Sequence, residues 1–74
     1  MTKAELDYEL AKLDTQRCRN DLNLAAFNLE AWKRSEKKGF VTGVQMQSHE
    51  HDILEKELLL KQAELREKYY AAQE

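Results

Sequence analysis

The sequence predicts an all-α fold, an antiparallel two-helix hairpin of the coiled-coil type that packs into a larger helical bundle by self-association. The first observation behind this prediction is a heptad series that runs without a charge over four heptads of the N-terminal half. The second is a set of helix-ending and helix-starting signals near the middle of a 74-residue chain that has no proline. We therefore expect one domain over residues 1–74, with a helix over about 2–38, a turn at 39–42 and a helix over about 43–72.

The composition is typical of long helices and coiled coils rather than of a compact enzyme domain. Charged residues make up 35% of the chain, aromatic residues make up 8%, and the formal net charge is −2. Acidic and basic residues are interspersed without a basic stripe, so nucleic acid is not an expected partner. No apolar run approaches the roughly 18 residues of a membrane span, so we expect a soluble segment without direct membrane insertion.

Small and apolar residues recur at alternating spacings of four and three along the first predicted helix, which is the pattern of a coiled-coil seam. The series consists of Ala4, Tyr8, Ala11, Thr15, Cys18, Leu22, Ala25, Leu29 and Trp32. Its smallest side chains alternate with larger ones, so a partner helix can approach closely. We therefore predict that this seam packs against another helix.

A second apolar set runs along roughly the opposite side of the same helix. It comprises Leu6, Leu10, Leu13, Leu24, Phe27 and Ala31. A helix in a simple two-helix pair needs only one apolar stripe. Two stripes therefore predict two neighbouring helices.

The second predicted helix is also apolar on more than one side. One face is marked by Leu54, Leu58, Leu65, Tyr69 and Ala72, and another by Met46, Ile53, Leu60, Ala63 and Tyr70. We assign the helix-packing seam of this helix to Leu54, Leu58, Leu65 and Tyr69.

The signals of the predicted turn fix where one helix ends and the next begins. Lys37 and Lys38 place cations where they favour a helix C-terminus, and Gly39 can adopt the left-handed conformation that ends the helix. Thr42 begins a capping box that Gln45 completes three residues later. The local signals therefore agree on a short loop between two antiparallel helices.

Phe40 and Val41 are the residues of the turn itself. Val41 is expected to pack on Met46 as a hydrophobic staple that closes the corner. The two turn residues also form an apolar tip beside basic residues, at the end of a long rod. Closing the corner and contacting a partner are compatible roles, and the sequence leaves both open.

Few residues have a pattern that could carry chemistry, and we expect no enzyme activity, no cofactor and no metal ion. His49 and His51 face different directions on a helix, and only His51 and Glu55 have the spacing to share a ligand. Cys18 lies within the seam without a base beside it, which indicates a packed thiol rather than a nucleophile.

The stretch KKGFVTGVQMQSHEHDILEKELLLKQAEL, together with the long helix before it, resembles the α-helical hairpin of periplasmic adaptor proteins. These proteins, also called membrane fusion proteins, serve bacterial efflux pumps and type I secretion systems. In that family the ascending helix ends at a Lys-Gly pair, followed by an aromatic or small residue, an aliphatic residue and Ser. Residues 38–42 take those places here, with Thr42 in the position of the Ser. The family also carries an Arg and a Leu on the ascending helix. This sequence departs from that pattern, because Arg34 is the nearest Arg and residues 35–38 contain no Leu.

The resemblance implies a non-catalytic interaction module of the periplasm or cell envelope that supports efflux or secretion. Hairpins of this family assemble side by side, which implies a homo-oligomer. Their tips contact an outer-membrane channel protein. The resemblance implies this role for Arg34, Gly39, Phe40, Val41 and Thr42.

Two other arrangements remain open. The chain can be a free-standing hairpin that dimerises into a four-helix bundle and serves as a regulatory or binding protein. It can also be one continuous parallel coiled coil, although Gly39, Gly43 and the capping box argue against an uninterrupted helix.

Overall fold

The computed structural model describes residues 1–73, and these contain two helices. Helix α1 spans Lys3–Lys37 and helix α2 spans Gly43–Ala71. The helices pack along each other as an antiparallel hairpin that measures 55 × 15 × 12 Å. The predicted all-α hairpin is confirmed, and each predicted helix boundary lies within one residue of the observed one.

Helix α1 ends in a Schellman motif at Gly39, which has a φ of +81°. The Gly39 N–H donates to the Glu36 carbonyl oxygen at 3.0 Å, and the Phe40 N–H donates to the Ser35 carbonyl oxygen at 2.9 Å. These bonds satisfy carbonyl groups that a helix end otherwise leaves unpaired. The left-handed conformation predicted for Gly39 is therefore confirmed.

Helix α2 begins with the capping box predicted for Thr42 and Gln45. The Gln45 N–H donates to Thr42 Oγ1 at 3.2 Å, and the Thr42 N–H donates to Gln45 Oε1 at 2.9 Å. Val41 and Met46, which are the predicted staple residues, are both buried. Residues 38–42 thus reverse the chain with their backbone groups paired at both helix ends.

Thr42→Ala is expected to lower the free energy of unfolding by about 1 kcal/mol, because it removes the oxygen that caps the Gln45 N–H. Thr2→Ala is the matched control, since Thr2 Oγ1 caps the Glu5 N–H at 3.1 Å. That cap lies at the open end of the hairpin, opposite the turn, where fraying of the helix end reduces the loss. Urea unfolding followed by circular dichroism measures the stability of both variants. Equal losses in the free energy of unfolding would contradict the prediction that the cap at the turn contributes more than the cap at Thr2.

The α1 side of the interface between the arms is the heptad seam of the sequence. Ala11 and Thr15 are buried, and the Thr15 hydroxyl donates to the Ala11 carbonyl oxygen at 3.1 Å. Near the turn, the Trp32 ring stacks on the His49 ring with their centroids 4.4 Å apart. The half-buried members of the seam are Ala4, Tyr8, Cys18, Leu22, Ala25 and Leu29.

The α2 side of the interface differs from the sequence assignment. The buried and half-buried residues of α2 recur at alternating spacings of three and four, and they are Met46, His49, Ile53, Lys56, Leu60, Ala63, Glu67 and Tyr70. The assigned seam residues Leu54, Leu58, Leu65 and Tyr69 are exposed on the other side of the helix. These four residues therefore lie outside the contact between the two arms, and their packing against another helix stays a prediction.

The turn determines which face of α2 meets α1. Because Val41 and Met46 are buried at the corner, the rotation of α2 about its own axis is set in its first turn. The face that results contains Ala63, which is 2% exposed and lets the helix backbones approach closely. It also contains charged residues such as Lys56 and Glu67. A prediction from hydrophobicity alone therefore selects the opposite, more apolar face of α2 as the packing face.

An ion pair between the arms shows their relative level. Arg66 Nη1 lies 3.2 Å from Asp14 Oδ2, although the two residues are 52 positions apart in the chain. Both side chains remain partly exposed, so the pair contributes at most about 1 kcal/mol of stability. Its value here is geometric, because it identifies which parts of α1 and α2 lie side by side.

Candidate functional site

The turn end of the hairpin, residues 33–48, which we call the tip, exposes two large apolar side chains. Phe40 is 79% exposed and Val44 is 77% exposed. Val41 is only 7% exposed, because it fills the corner where Met46 is also buried. Val41 therefore offers little side-chain surface to a partner, and its predicted partner contact stays a prediction. Sequence reasoning missed Val44, whose signal is its position in the first turn of α2, between the two staple residues but not one of them.

The other predicted tip residues differ in what they offer to a partner. Arg34 is exposed in the last turn of α1. Gly39 and Thr42 are exposed as well, but Gly39 ends α1 and the Thr42 hydroxyl oxygen caps α2. Among the predicted contacts, Arg34 and Phe40 therefore present the side chains that are free of a structural role.

The tip carries a charge opposite to that of the rest of the chain. Its ionisable residues are Lys33, Arg34, Lys37 and Lys38 on the basic side and Glu36 on the acidic side, and all of them are exposed. Four cations and one carboxylate give the tip a formal charge of +3. Because the whole chain has −2, the remaining residues carry −5.

Each arm also exposes a row of apolar residues on the side that faces away from the other arm. The outer stripe of α1 consists of Leu6, Leu10, Leu13, Leu24 and Phe27. The outer stripe of α2 consists of Leu54, Leu58, Leu65 and Tyr69. The hairpin thus has two apolar surfaces on opposite sides, as the two stripes of α1 and the two faces of α2 indicated.

A groove of about 270 Å³ lies between the arms beside the stacked Trp32 and His49 rings. Its polar lining includes Asp21, Asp52 and Lys56. Lys56 Nζ donates to both carboxylate oxygens of Asp52, at 2.9 and 3.0 Å. The two charges therefore neutralise each other across one turn of α2. We interpret the groove as part of the interface between the helices and not as a ligand site.

The remaining polar groups do not converge on a site. His51 Nε2 lies 3.8 Å from Glu55 Oε1 on the surface of α2. Within residues 1–73, no group of three or more His, Cys, Asp or Glu residues is placed to hold a metal ion. Cys18 is a half-buried free thiol of the seam.

Fold and surfaces together define an all-α helical hairpin with an apolar outer stripe on each arm and a basic, apolar-ended tip. No family model matches the chain, and no curated protein or solved structure matches it. Neither α1 nor α2, as described over residues 1–73, is long and apolar enough to cross a bilayer.

Proposed function

We propose that this protein is a non-catalytic interaction module that self-associates through its outer stripes. The observation that carries the proposal is the pair of exposed apolar rows on opposite sides of the hairpin. Exposed apolar residues that recur along one side of a helix are typical of a face that packs against another helix.

The surface area of the hairpin supports the same proposal. Its accessible surface is 5793 Å², whereas a compact monomer of 8.7 kDa exposes about 4,700 Å². The excess of about 1,000 Å² is comparable to the roughly 800 Å² that each partner buries in a stable complex. The hairpin buries few large side chains between its arms, so association supplies apolar burial that a single chain lacks.

The two outer stripes match each other along the length of the rod. The ion pair between Asp14 and Arg66 places residues whose numbers sum to about 80 at one level. On this scale Leu24 lies near the level of Leu54, Leu13 lies near Leu65, and Leu10 lies near Tyr69. Parallel rods standing side by side would therefore bring the α1 stripe of one copy against the α2 stripe of the next, which is a heterologous contact.

An envelope adaptor of efflux or secretion is the specific form of this module that the sequence resemblance favours. In that form the hairpins stand side by side in the periplasm and direct their tips towards an outer-membrane channel. Arg34 and Phe40 are the accessible side chains for such a contact. The second candidate is a free-standing hairpin that dimerises into a four-helix bundle, which the same exposed stripes would also permit.

Leu58→Gln combined with Leu65→Gln is expected to raise the dissociation constant for self-association at least ~10-fold, because two exposed leucines lose their burial on association. Glutamine keeps a good helix propensity, so helicity should be retained. Sedimentation equilibrium measures the effect. The control is Leu59→Gln, which makes the same chemical change outside the outer stripe. A wild-type hairpin that stays folded and strictly monomeric at high concentration would overturn the proposal.

Mixing two variants distinguishes the heterologous contact from a four-helix dimer. One variant carries Leu10→Gln and Leu24→Gln in the α1 stripe, and the other carries the two α2 substitutions. With heterologous contacts each variant alone is monomeric, and the mixture forms a 1:1 pair through the one intact interface. A variant that still forms dimers alone would instead indicate an isologous contact made by the other arm.

A further inference from the structure

The most uneven feature of the molecular surface is the contrast in charge between the tip and the rest of the rod. The tip has a formal charge of +3, whereas the remaining residues have −5. Along a rod of 55 Å, the basic residues of the tip lie within about two helical turns of the apex, since each residue adds 1.5 Å. We call the residues outside the tip the shaft. A negatively charged surface would therefore attract the tip and repel the shaft.

Phe40 adds an apolar group to this basic end, and the fold does not use its ring. In a Schellman motif the residue after the left-handed glycine commonly packs back on the last turn of the helix. Here that residue is Phe40, and the positions it would contact are Ser35 and Arg34. Both of these residues are polar. Phe40 is 79% exposed, and Val44 is 77% exposed at the same end.

Exposed aromatic and aliphatic side chains among lysines and arginines form the pattern that binds the headgroup layer of anionic bilayers. Apolar side chains enter the boundary with the acyl chains, and long basic side chains reach the phosphates beside them. End-on contact also suits the acidic shaft, because most of its carboxylates would stand farther from the surface than the Debye length of about 8 Å.

We propose that the tip is a peripheral contact site for the surface of an anionic lipid bilayer, with Phe40 and Val44 entering the headgroup layer and Arg34, Lys37 and Lys38 pairing with lipid phosphates. Neither described helix is long and apolar enough to cross a bilayer, and contact at the depth of the headgroups does not need such a helix. A nucleic acid fits less well, because a polyanion has no place for the apolar pair and would meet the acidic shaft. This proposal is independent of self-association.

Flotation with vesicles of phosphatidylcholine and phosphatidylglycerol tests the proposal on the full chain, at concentrations where the protein is monomeric. We expect weak, reversible binding, with an association constant on the order of 10⁴ M⁻¹ or below, the range of a single acyl anchor. Binding should fall as salt rises and should be lost on pure phosphatidylcholine.

Phe40→Ser is expected to weaken vesicle binding about tenfold, because one aromatic ring no longer leaves water. Its control is Phe27→Ser, the same change at a ring that is 70% exposed on the shaft. Phe27→Ser should leave vesicle binding unchanged and weaken self-association, whereas Phe40→Ser should do the reverse. The two variants therefore separate failure of the lipid proposal from failure of the proposed function.

Lys37→Gln with Lys38→Gln should weaken binding tenfold or more, because each cation near an anionic surface contributes roughly fivefold. Lys61→Gln with Lys68→Gln makes the same change in net charge on the shaft and should have little effect. Equal losses for the two pairs would indicate attraction by net charge alone and would overturn a site at the tip. Binding that is absent from anionic vesicles would also overturn it and would leave the exposed tip to a protein partner.

Discussion

Ala63→Leu is expected to lower the free energy of unfolding by about 1–3 kcal/mol, the usual cost of placing extra methylene groups in a packed interface. Ala63 is only 2% exposed and lies where the arms approach closely. Close to its level on α1 is the buried Thr15, and the buried Ala11 lies one helical turn beyond Thr15. Both have small side chains. A leucine at this position has no free volume to fill, so the arms must separate or the leucine must adopt a strained rotamer.

Ala26→Leu is the matched control for this prediction. Ala26 is exposed on α1, and leucine has nearly the helix propensity of alanine, so its effect should lie within about 0.5 kcal/mol of zero. Urea unfolding followed by circular dichroism compares both variants with the wild type at one protein concentration, because association also stabilises the fold. Equal effects of the two substitutions would mean that the arms are not closely packed at Ala63.

Gly39→Ala is expected to lower the free energy of unfolding by about 1–2 kcal/mol, the cost of the left-handed conformation for a residue with a Cβ atom. The φ of +81° produces this cost. Space does not contribute, because a Cβ atom added to Gly39 meets nothing within 4 Å. The loss should therefore be similar for Gly39→Ser and smaller for Gly39→Asn, because asparagine adopts the left-handed conformation more readily.

Gly43→Ala is the same chemical change as Gly39→Ala, but it is expected to raise the free energy of unfolding. Gly43 lies at the start of α2 without a positive φ, and a Cβ atom there also meets nothing within 4 Å. Alanine restricts the unfolded chain and favours the helix, so stability should rise by about 0.4–1 kcal/mol. Thermal or urea unfolding of both variants checks the pair. If both substitutions shift stability in the same direction, the backbone explanation for Gly39 is wrong.

The tip shows how far local sequence signals extend. The glycine that ends α1 and the capping box that begins α2 both depend on hydrogen bonds between residues at most five positions apart, so the sequence predicts them directly. The exposure of Phe40 and the burial of Val41 depend on where the other helix lies. Two adjacent apolar residues in one turn therefore have opposite environments that their types alone do not distinguish.

The two faces of α2 show the same limit over a longer range. Leu54, Leu58, Leu65 and Tyr69 form the more apolar face, yet they point away from α1. The face that packs includes Lys56, whose long apolar stem can lie along an interface while its ammonium group reaches Asp52. A scale of residue hydrophobicity assigns such a residue to solvent, which is why the sequence favoured the outer face.

By itself the sequence determined the all-α class, the bounds of both helices, the reversal at Gly39 and the seam of α1, because periodicity, caps and glycine conformation are local properties of the chain. Only the tertiary structure decided which face of α2 meets α1, and hence which apolar residues remain outside. The physical reason is that the corner at Val41 and Met46 sets the rotation of α2, and the small side chains of Ala11 and Ala63 then let the arms approach. Close packing between distant segments is selected by shape as well as by hydrophobicity.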